Sequence, residues 1–213
     1  MSAAPTTSPP TRLILVRHAE VEEKYHRIFG GRIDMNLSAR GHEQALALAG
    51  YLRRKPVEAV YTSPMKRVQQ TLAPYVLGGS PPLHMLADLR EVDFGDWTGH
   101  NWEAIQSHFG LNAYDWLELL QEGRIPNAEP AQAYRARVEA CVRQIVGNHP
   151  GQLVAVFCHG GIVRMLLSIV LNLPLPTFAH FDVDYASLTE VVLHSHKKPE
   201  VALLNFAPWR DLP

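Results

Sequence analysis

The sequence predicts an α/β fold: a three-layer α/β/α sandwich with a mostly parallel central sheet and a small helical lid insertion. Three observations carry that prediction. Short apolar runs rich in β-branched residues alternate with stretches whose apolar residues recur at helical spacing, the pattern of repeated βαβ units. Several of the runs end abruptly in arginine or histidine, as strands do when their carboxyl ends open into a ligand crevice. The 213 residues suit one domain with enough chain to bury a large core.

Taken in order, residues 1–10 are rich in Ala, Pro, Ser and Thr and lack a basic or apolar leader pattern. They read as a disordered tail ahead of a single domain over residues 11–213. Leu13 to Val16 reads as a buried strand that ends in Arg17-His18. The polar segment from Glu20 to Met35, with Gly30-Gly31, reads as a loop or short frayed helix placed to line whatever pocket follows. Ser38 is the expected N-cap of a helix with Ala45, Leu46, Leu48, Ala49 and Leu52 on its apolar face, closed by Pro56. Val57 to Tyr61 is the second strand. Ser63 as cap and Pro64 at the first helical position would start the next helix, placing Arg67 in its first turn.

Pro81-Pro82 interrupt the chain before a short strand at Leu83 to Leu86. The stretch from Asp88 to Gly99 mixes acids, glycines and aromatics without a period and reads as a loop. Glu91 there is flanked by apolar Leu89 and Val92; desolvation would favour its protonated form and suit it to acid catalysis. Two short helical patterns between Asn101 and Gln121 look inserted into the alternation, and the lid is placed at about 94–129. Pro130 to Val146 is the next helix, with Ala133, Val138, Cys141, Val142 and Ile145 inward. Gln152 to Cys158 is the clearest buried strand; it ends in His159-Gly160-Gly161, and a helix begins at Ile162. The two glycines would let backbone N–H groups approach a ligand. Ser187 to Leu193 and Val201 to Leu204 are the last strands, joined by a hairpin-like link.

The net charge is −1, which provides no global field for nucleic acid or an anionic membrane surface, so neither is an expected partner. No apolar run reaches transmembrane length. Cys141 and Cys158 form neither a zinc spacing nor a disulfide framework, which fits a cytoplasmic setting. A homodimer is left open.

The strand ends thus collect Arg17-His18, Arg67, Glu91 and His159. Arginine forks match phosphate oxygens. One histidine can attack phosphorus and the other can hold an equatorial oxygen. A protonated carboxyl can protonate the leaving oxygen and afterwards activate water.

On these residues the chain resembles the histidine phosphatase superfamily, the phosphoglycerate mutase-like group. The resemblance is carried by Leu15-Val16-Arg17-His18-Ala19-Glu20, Asp34-Met35-Asn36-Leu37-Ser38, Thr62-Ser63-Pro64-Met65-Lys66-Arg67, Leu89-Arg90-Glu91 through Gly99, and Val156-Phe157-Cys158-His159-Gly160-Gly161, in that order. It implies His18 as the nucleophile that becomes phosphohistidine, and Glu91 as proton donor. Arg17, Arg67, His159 and the Gly160 backbone are implied as phosphate ligands. It implies no cofactor and no metal, and a small phosphorylated substrate: a sugar phosphate, a phosphoglycerate or a ribazole phosphate. The chain departs from the family at Ala19, where glycine is usual, and at Lys24 and Gly30, where asparagine and glutamine are frequent. Lys24 and Gly30 therefore stand as substrate-side candidates only. The short Phe94-to-Gly99 version, followed by Arg124 as the sole Lys or Arg before Glu129, favours hydrolysis over mutase transfer.

Two other chemistries are written in the same residues. Cys158 to Arg164 fits the Cys-x5-Arg pattern of cysteine phosphatases, but it leaves Arg17, His18 and Arg67 without roles. Cys158 is expected to be a buried strand residue and Arg164 to lie on a helix face. The eleven histidines show no H-E-x-x-H spacing for a metal hydrolase. A silent member that only binds a phospho-ligand or a protein partner is a further alternative, and the intact set of five residues speaks against it.

Overall fold

In the computed structural model residues 9–212 are described; the expected tail lies outside them except for Pro9 and Pro10. Six strands form one sheet: β1 (Thr11–Arg17), β2 (Ala59–Thr62), β3 (Leu83–Met85), β4 (Leu153–Cys158), β5 (Leu188–Leu193) and β6 (Glu200–Phe206), in the order β3-β2-β4-β1-β5-β6. The pairs β2–β3, β2–β4 and β1–β4 are parallel, and β1–β5 and β5–β6 are antiparallel. The sheet is therefore parallel on the side that carries the site, as expected. Seven helices flank it: α1 (Ala39–Leu52), α2 (Lys66–Val76), α3 (Trp102–Phe109), α4 (Trp116–Gln121), α5 (Ala131–Asn148), α6 (Gly160–Leu171) and a short C-terminal α7 (Pro208–Asp211).

Strand alternation builds the three layers. On β1, Leu13 and Leu15 face one core with Val154, Val156 and Cys158 of β4; Ile14 and Val16 face the other with Ala155 and Phe157. The first core is closed by α3, α4, α5 and α6, the second by α1 and α2. Trp97, Ile105, Leu117, Leu119 and Leu120 of the inserted segment are buried in the first core. That segment is thus packed into the domain along its inner side. None of the described helices is long and apolar enough to cross a membrane.

The cap at Ser38 stands as expected: its hydroxyl accepts the Gly41 N–H at 2.9 Å and donates to Glu20 at 2.7 Å. A side chain at Gly41 would run into the Glu20 carbonyl. The expected start of the second helix is corrected. Thr62 and Ser63 continue the strand direction, with the Ser63 N–H donating to the Phe157 carbonyl at 3.0 Å. The helix begins only at Lys66 and has no side-chain cap. The inward face of α5 is also corrected. Tyr134, not Ala133, is buried, and the helix runs through Gly147 to Asn148.

Candidate active site

Strands β1 and β4 lie side by side and parallel, so Arg17 is level with Cys158 and the next residues, His18 and His159, emerge together. This is the crevice beyond the carboxyl ends of parallel strands. Their rings meet edge to face with centroids 5.4 Å apart. Helix α2 contributes Arg67, the loop after β3 contributes Glu91, and α6 begins at Gly160. Arg17, His18, Gly30, Arg67, Glu91, Gly160, Gly161, Arg164 and Tyr185 are among the walls of one open cavity of about 180 Å³.

His18 is buried. Its Nδ1 lies 2.8 Å from the Ala19 carbonyl. A carbonyl only accepts, so Nδ1 carries the ring proton and Nε2 keeps its lone pair. Burial, reinforced by the Arg67 and Arg17 guanidinium groups, holds the His18 pKa well below that of a free imidazole. The neutral, nucleophilic form is therefore the resting one. His159 is fully buried and packs against the His18 ring. Burial, then Arg67, depresses its pKa in the same way. Its Nε2 is 2.9 Å from Ser63 Oγ, which also receives the Met65 N–H at 3.4 Å. A serine hydroxyl that accepts there can donate its own proton to Nε2, which leaves the ring proton on Nδ1. That Nδ1 is buried with no hydrogen-bond partner in the protein.

Arg67 is buried and anchored, donating from Nη1 to Ile33 O at 2.8 Å and from Nη2 to Gly31 O at 3.0 Å. Burial lowers its pKa to about 10, which still leaves it cationic at neutral pH. Arg17 donates from Nη1 to the Val183 carbonyl at 2.5 Å and lies over the Tyr185 ring at 4.0 Å. Its Nε is buried without a partner. Arg17 Nε is thus a buried, unsatisfied donor, and His159 Nδ1 is a second one in the tautomer in which Ser63 donates to Nε2, an arrangement that an anion would complete.

Glu91 is buried, and its two carboxylate oxygens accept the N–H groups of Val92 at 3.0 Å and Gly161 at 3.1 Å. A methyl at Gly161 would overlap the Glu91 carboxylate, whereas one at Gly160 would meet Arg17 and Arg164 at ordinary contact distance. Both glycines border the cavity, but the one whose missing side chain makes room for the Glu91 carboxylate is Gly161.

Lys24 does not line the cavity. Its exposed side chain reaches Glu22 at 3.5 Å and lies over the Tyr25 ring. Gly30 does line it, with Met35 beside it. Ser63 has no catalytic signature in the sequence, since Thr-Ser-Pro reads as a helix cap. Tyr185 has none either, because a lone tyrosine in the connection before β5 carries no local signal. Arg164, expected on a helix face, does lie on α6, but it also reaches the cavity while donating to the carbonyls of Phe178 at 3.1 Å and Phe181 at 3.0 Å. Cys158 is fully buried, and burial raises its thiol pKa well above the ordinary value, so the cysteine-phosphatase pattern is a coincidence of a core strand and a helix. Among the described residues, no three His, Cys, Asp or Glu side chains gather as metal ligands.

Comparison with known proteins agrees with this geometry. The model of the histidine phosphatase superfamily (branch 1) matches residues 13–207. The adenosylcobalamin/alpha-ribazole phosphatase of Salmonella typhimurium is 28% identical over 199 residues, covering 93% of this chain and 98% of that one. Phosphoserine phosphatase 1 of Hydrogenobacter thermophilus is 29% identical over 194 residues, covering 90% of each. Among solved structures, the alpha-ribazole phosphatase of Shigella flexneri superposes with a TM-score of 0.78 at 27% identity, over 92% of this chain and 96% of that one. With the family model matched from β1 to the end of β6, the chain belongs to the histidine phosphatase superfamily, branch 1, and is a phosphatase of it.

Proposed function

We propose that this phosphatase is a phosphomonoesterase working through a phosphohistidine on His18. The observation that carries the reading is the fixed tautomer of His18: Nδ1 is committed to the Ala19 carbonyl, and Nε2 is left as a neutral nucleophile among cationic groups. The phosphoryl oxygens would take the free N–H groups of Arg17 and His159, the Arg67 guanidinium and the Gly160 backbone. His18 Nε2 attacks phosphorus and forms the P–N bond as the P–O bond to the leaving group breaks. Glu91, as the proton donor, gives a proton to that leaving oxygen. As a carboxylate it then takes a proton from water, the hydroxide attacks phosphorus, and the P–N bond breaks to release phosphate and restore His18 and protonated Glu91.

The substrate is a small phosphorylated metabolite. Sugar phosphates, phosphoglycerates and ribazole phosphates all have an alcohol leaving group of the size the cavity admits. Tyr25, Phe29, Trp102 and Trp116 on the outer wall favour a bulky, weakly charged leaving group, and the likeness to alpha-ribazole phosphatases supports the ribazole type. Hydrolysis rather than mutase transfer is supported by the inserted segment. Its Arg124 is exposed and engaged with Glu122 at 3.4 Å, so it offers no basic cluster to retain a bisphosphate.

The test is a phosphomonoester panel containing a ribazole phosphate, sugar phosphates, a phosphoglycerate and phosphoserine. It is run on wild type, His18→Ala and Cys158→Ser, with trapping of acid-labile phosphoenzyme. Wild type and Cys158→Ser should hydrolyse at least one ester and label, and His18→Ala should do neither. Hydrolysis that survives His18→Ala unchanged would overturn the mechanism.

A further inference from the structure

Away from the cavity, one arginine is saturated by the loop carrying Glu91 and by Glu129, which is itself tied to that loop. Arg137 on α5 uses all five of its N–H donors. Nη1 donates to the backbone carbonyls of Asp88 and of Arg90, the latter at 2.8 Å, and Nη2 donates to that of Glu91 at 3.3 Å. Nε and Nη2 form a fork on Glu129, at 2.6 Å to Oε1 and 2.8 Å to Oε2. Glu129 is itself tied to the same loop: its N–H donates to the Asp93 carbonyl at 2.9 Å, and its Oε2 accepts the Asp93 N–H at 3.4 Å. Arg32, one residue from the Gly31 carbonyl that anchors Arg67, reaches Asp93 at 3.3 Å and Glu129 at 3.8 Å. The guanidinium also lies over the ring of buried Tyr134 at 4.9 Å.

None of Arg137, Glu129 or Tyr134 lines the cavity. The loop they hold has no regular structure between the turn at Ala87–Leu89 and the turn at Gly95–Trp97, so its path depends on such ties. We propose that Arg137, locked by Glu129, is the positioning residue for Glu91: it holds the Glu91 peptide, while Val92 and Gly161 hold the carboxylate. The inference rests on Glu91 being the proton donor. A lysine could not replace Arg137, since three donors on a point charge cannot grip a carboxylate fork and three carbonyls together. A 1 Å misplacement of a reacting group can cost on the order of 10²-fold.

The dependence on leaving group separates this role from general support of the fold. A proton donor matters for an alkyl phosphate and hardly matters for 2,4-dinitrophenyl phosphate, whose leaving group departs without a proton. kcat/KM on both esters reads the transfer to His18 and is independent of the later water step. Glu91→Gln should lower kcat/KM on the alkyl ester about 10²- to 10³-fold, within the range of general acid catalysis, and on the dinitrophenyl ester less than about 10-fold. Arg137→Lys and the isosteric Glu129→Gln should show the same selectivity at about 10- to 100-fold, with no further loss when added to Glu91→Gln. Equal losses on the two esters, no loss, or full additivity with Glu91→Gln would overturn the proposal. If Arg137→Lys does not fold, Glu129→Gln alone decides. If Glu91→Gln itself shows no preference between the esters, the acid assignment falls first and the proposal with it.

Discussion

Gly160 and Gly161 are neighbours at the start of α6, yet they differ in what a methyl group would meet. At Gly160 it would touch Arg17 and Arg164 at 3.5 Å; at Gly161 it would displace the Glu91 carboxylate. Gly161→Ala should therefore push that carboxylate off its N–H partners, offsetting the gain in helix propensity, and lose on the order of 10- to 100-fold in kcat on alkyl phosphates. Gly160→Ala should stay within about 3-fold of wild type. Thermal melts and steady-state kinetics on the pair check this. The two histidines lead to a second prediction. Both are buried with pKa values held well below 6.5, so below pH 6.5 the unfolded chain binds more protons than the folded one. Stability should therefore fall as pH drops below about 6.5, by up to about 1.4 kcal/mol per pH unit for each imidazole, until the folded pKa is reached. Urea unfolding between pH 7.5 and 5.5 should show a shallower slope in His18→Asn than in wild type.

At the scale of elements, α2 does two jobs with one face. It carries Arg67 into the site, and four residues later Thr71 accepts the Ala19 N–H at 2.9 Å while donating to the Arg67 carbonyl at 2.7 Å. That single hydroxyl ties the helix to the turn that follows His18. Thr71→Val keeps the shape but leaves a buried N–H unsatisfied, a cost of about 1–3 kcal/mol, seen as a lower urea midpoint at unchanged m-value. The inserted segment gives a sharper contrast. Read from its aromatic content it is a lid, and Trp102 and Trp116 do face the cavity. Yet Trp97, at the start of that segment, is fully buried in the core below the sheet. Trp97→Ala should cost about 3–5 kcal/mol in global stability, as no detachable flap would.

At the scale of the molecule, a near-neutral chain concentrates positive charge in one place. Arg17, Arg67 and Arg164 border the cavity, and Glu91 is the only carboxylate among its walls. Binding of phosphate there should stabilise the native state by mass action, about 2.7 kcal/mol at a hundredfold excess over Kd. Melting curves at rising inorganic phosphate should shift upward for wild type and much less for Arg67→Gln, with ionic strength held constant using a neutral-site control salt.

The strands ending in Arg17-His18 and in His159, the helices α1, α5 and α6, and the five candidate side chains that gather at one end of the sheet were legible in the sequence. Each is announced by local chemistry: a β-branched run, a helical period, a cap, or an ionisable group where a core strand should stop. The groups that make those five side chains work were not legible. Ser63 reads as a cap and is the partner of His159. Lys24, a substrate-side candidate from sequence, reaches Glu22. Tyr185 lies 167 residues from His18 in sequence but packs against it with ring centroids 5.6 Å apart. Arg137 is one of many helix arginines until α5 is laid against the Glu91 loop. The sequence by itself determined the fold class and the candidate site residues, because periodicity and side-chain type are local properties. Only the tertiary structure decided tautomer, charge state and aim, because these depend on which distant backbone groups the sheet order brings within hydrogen-bond reach.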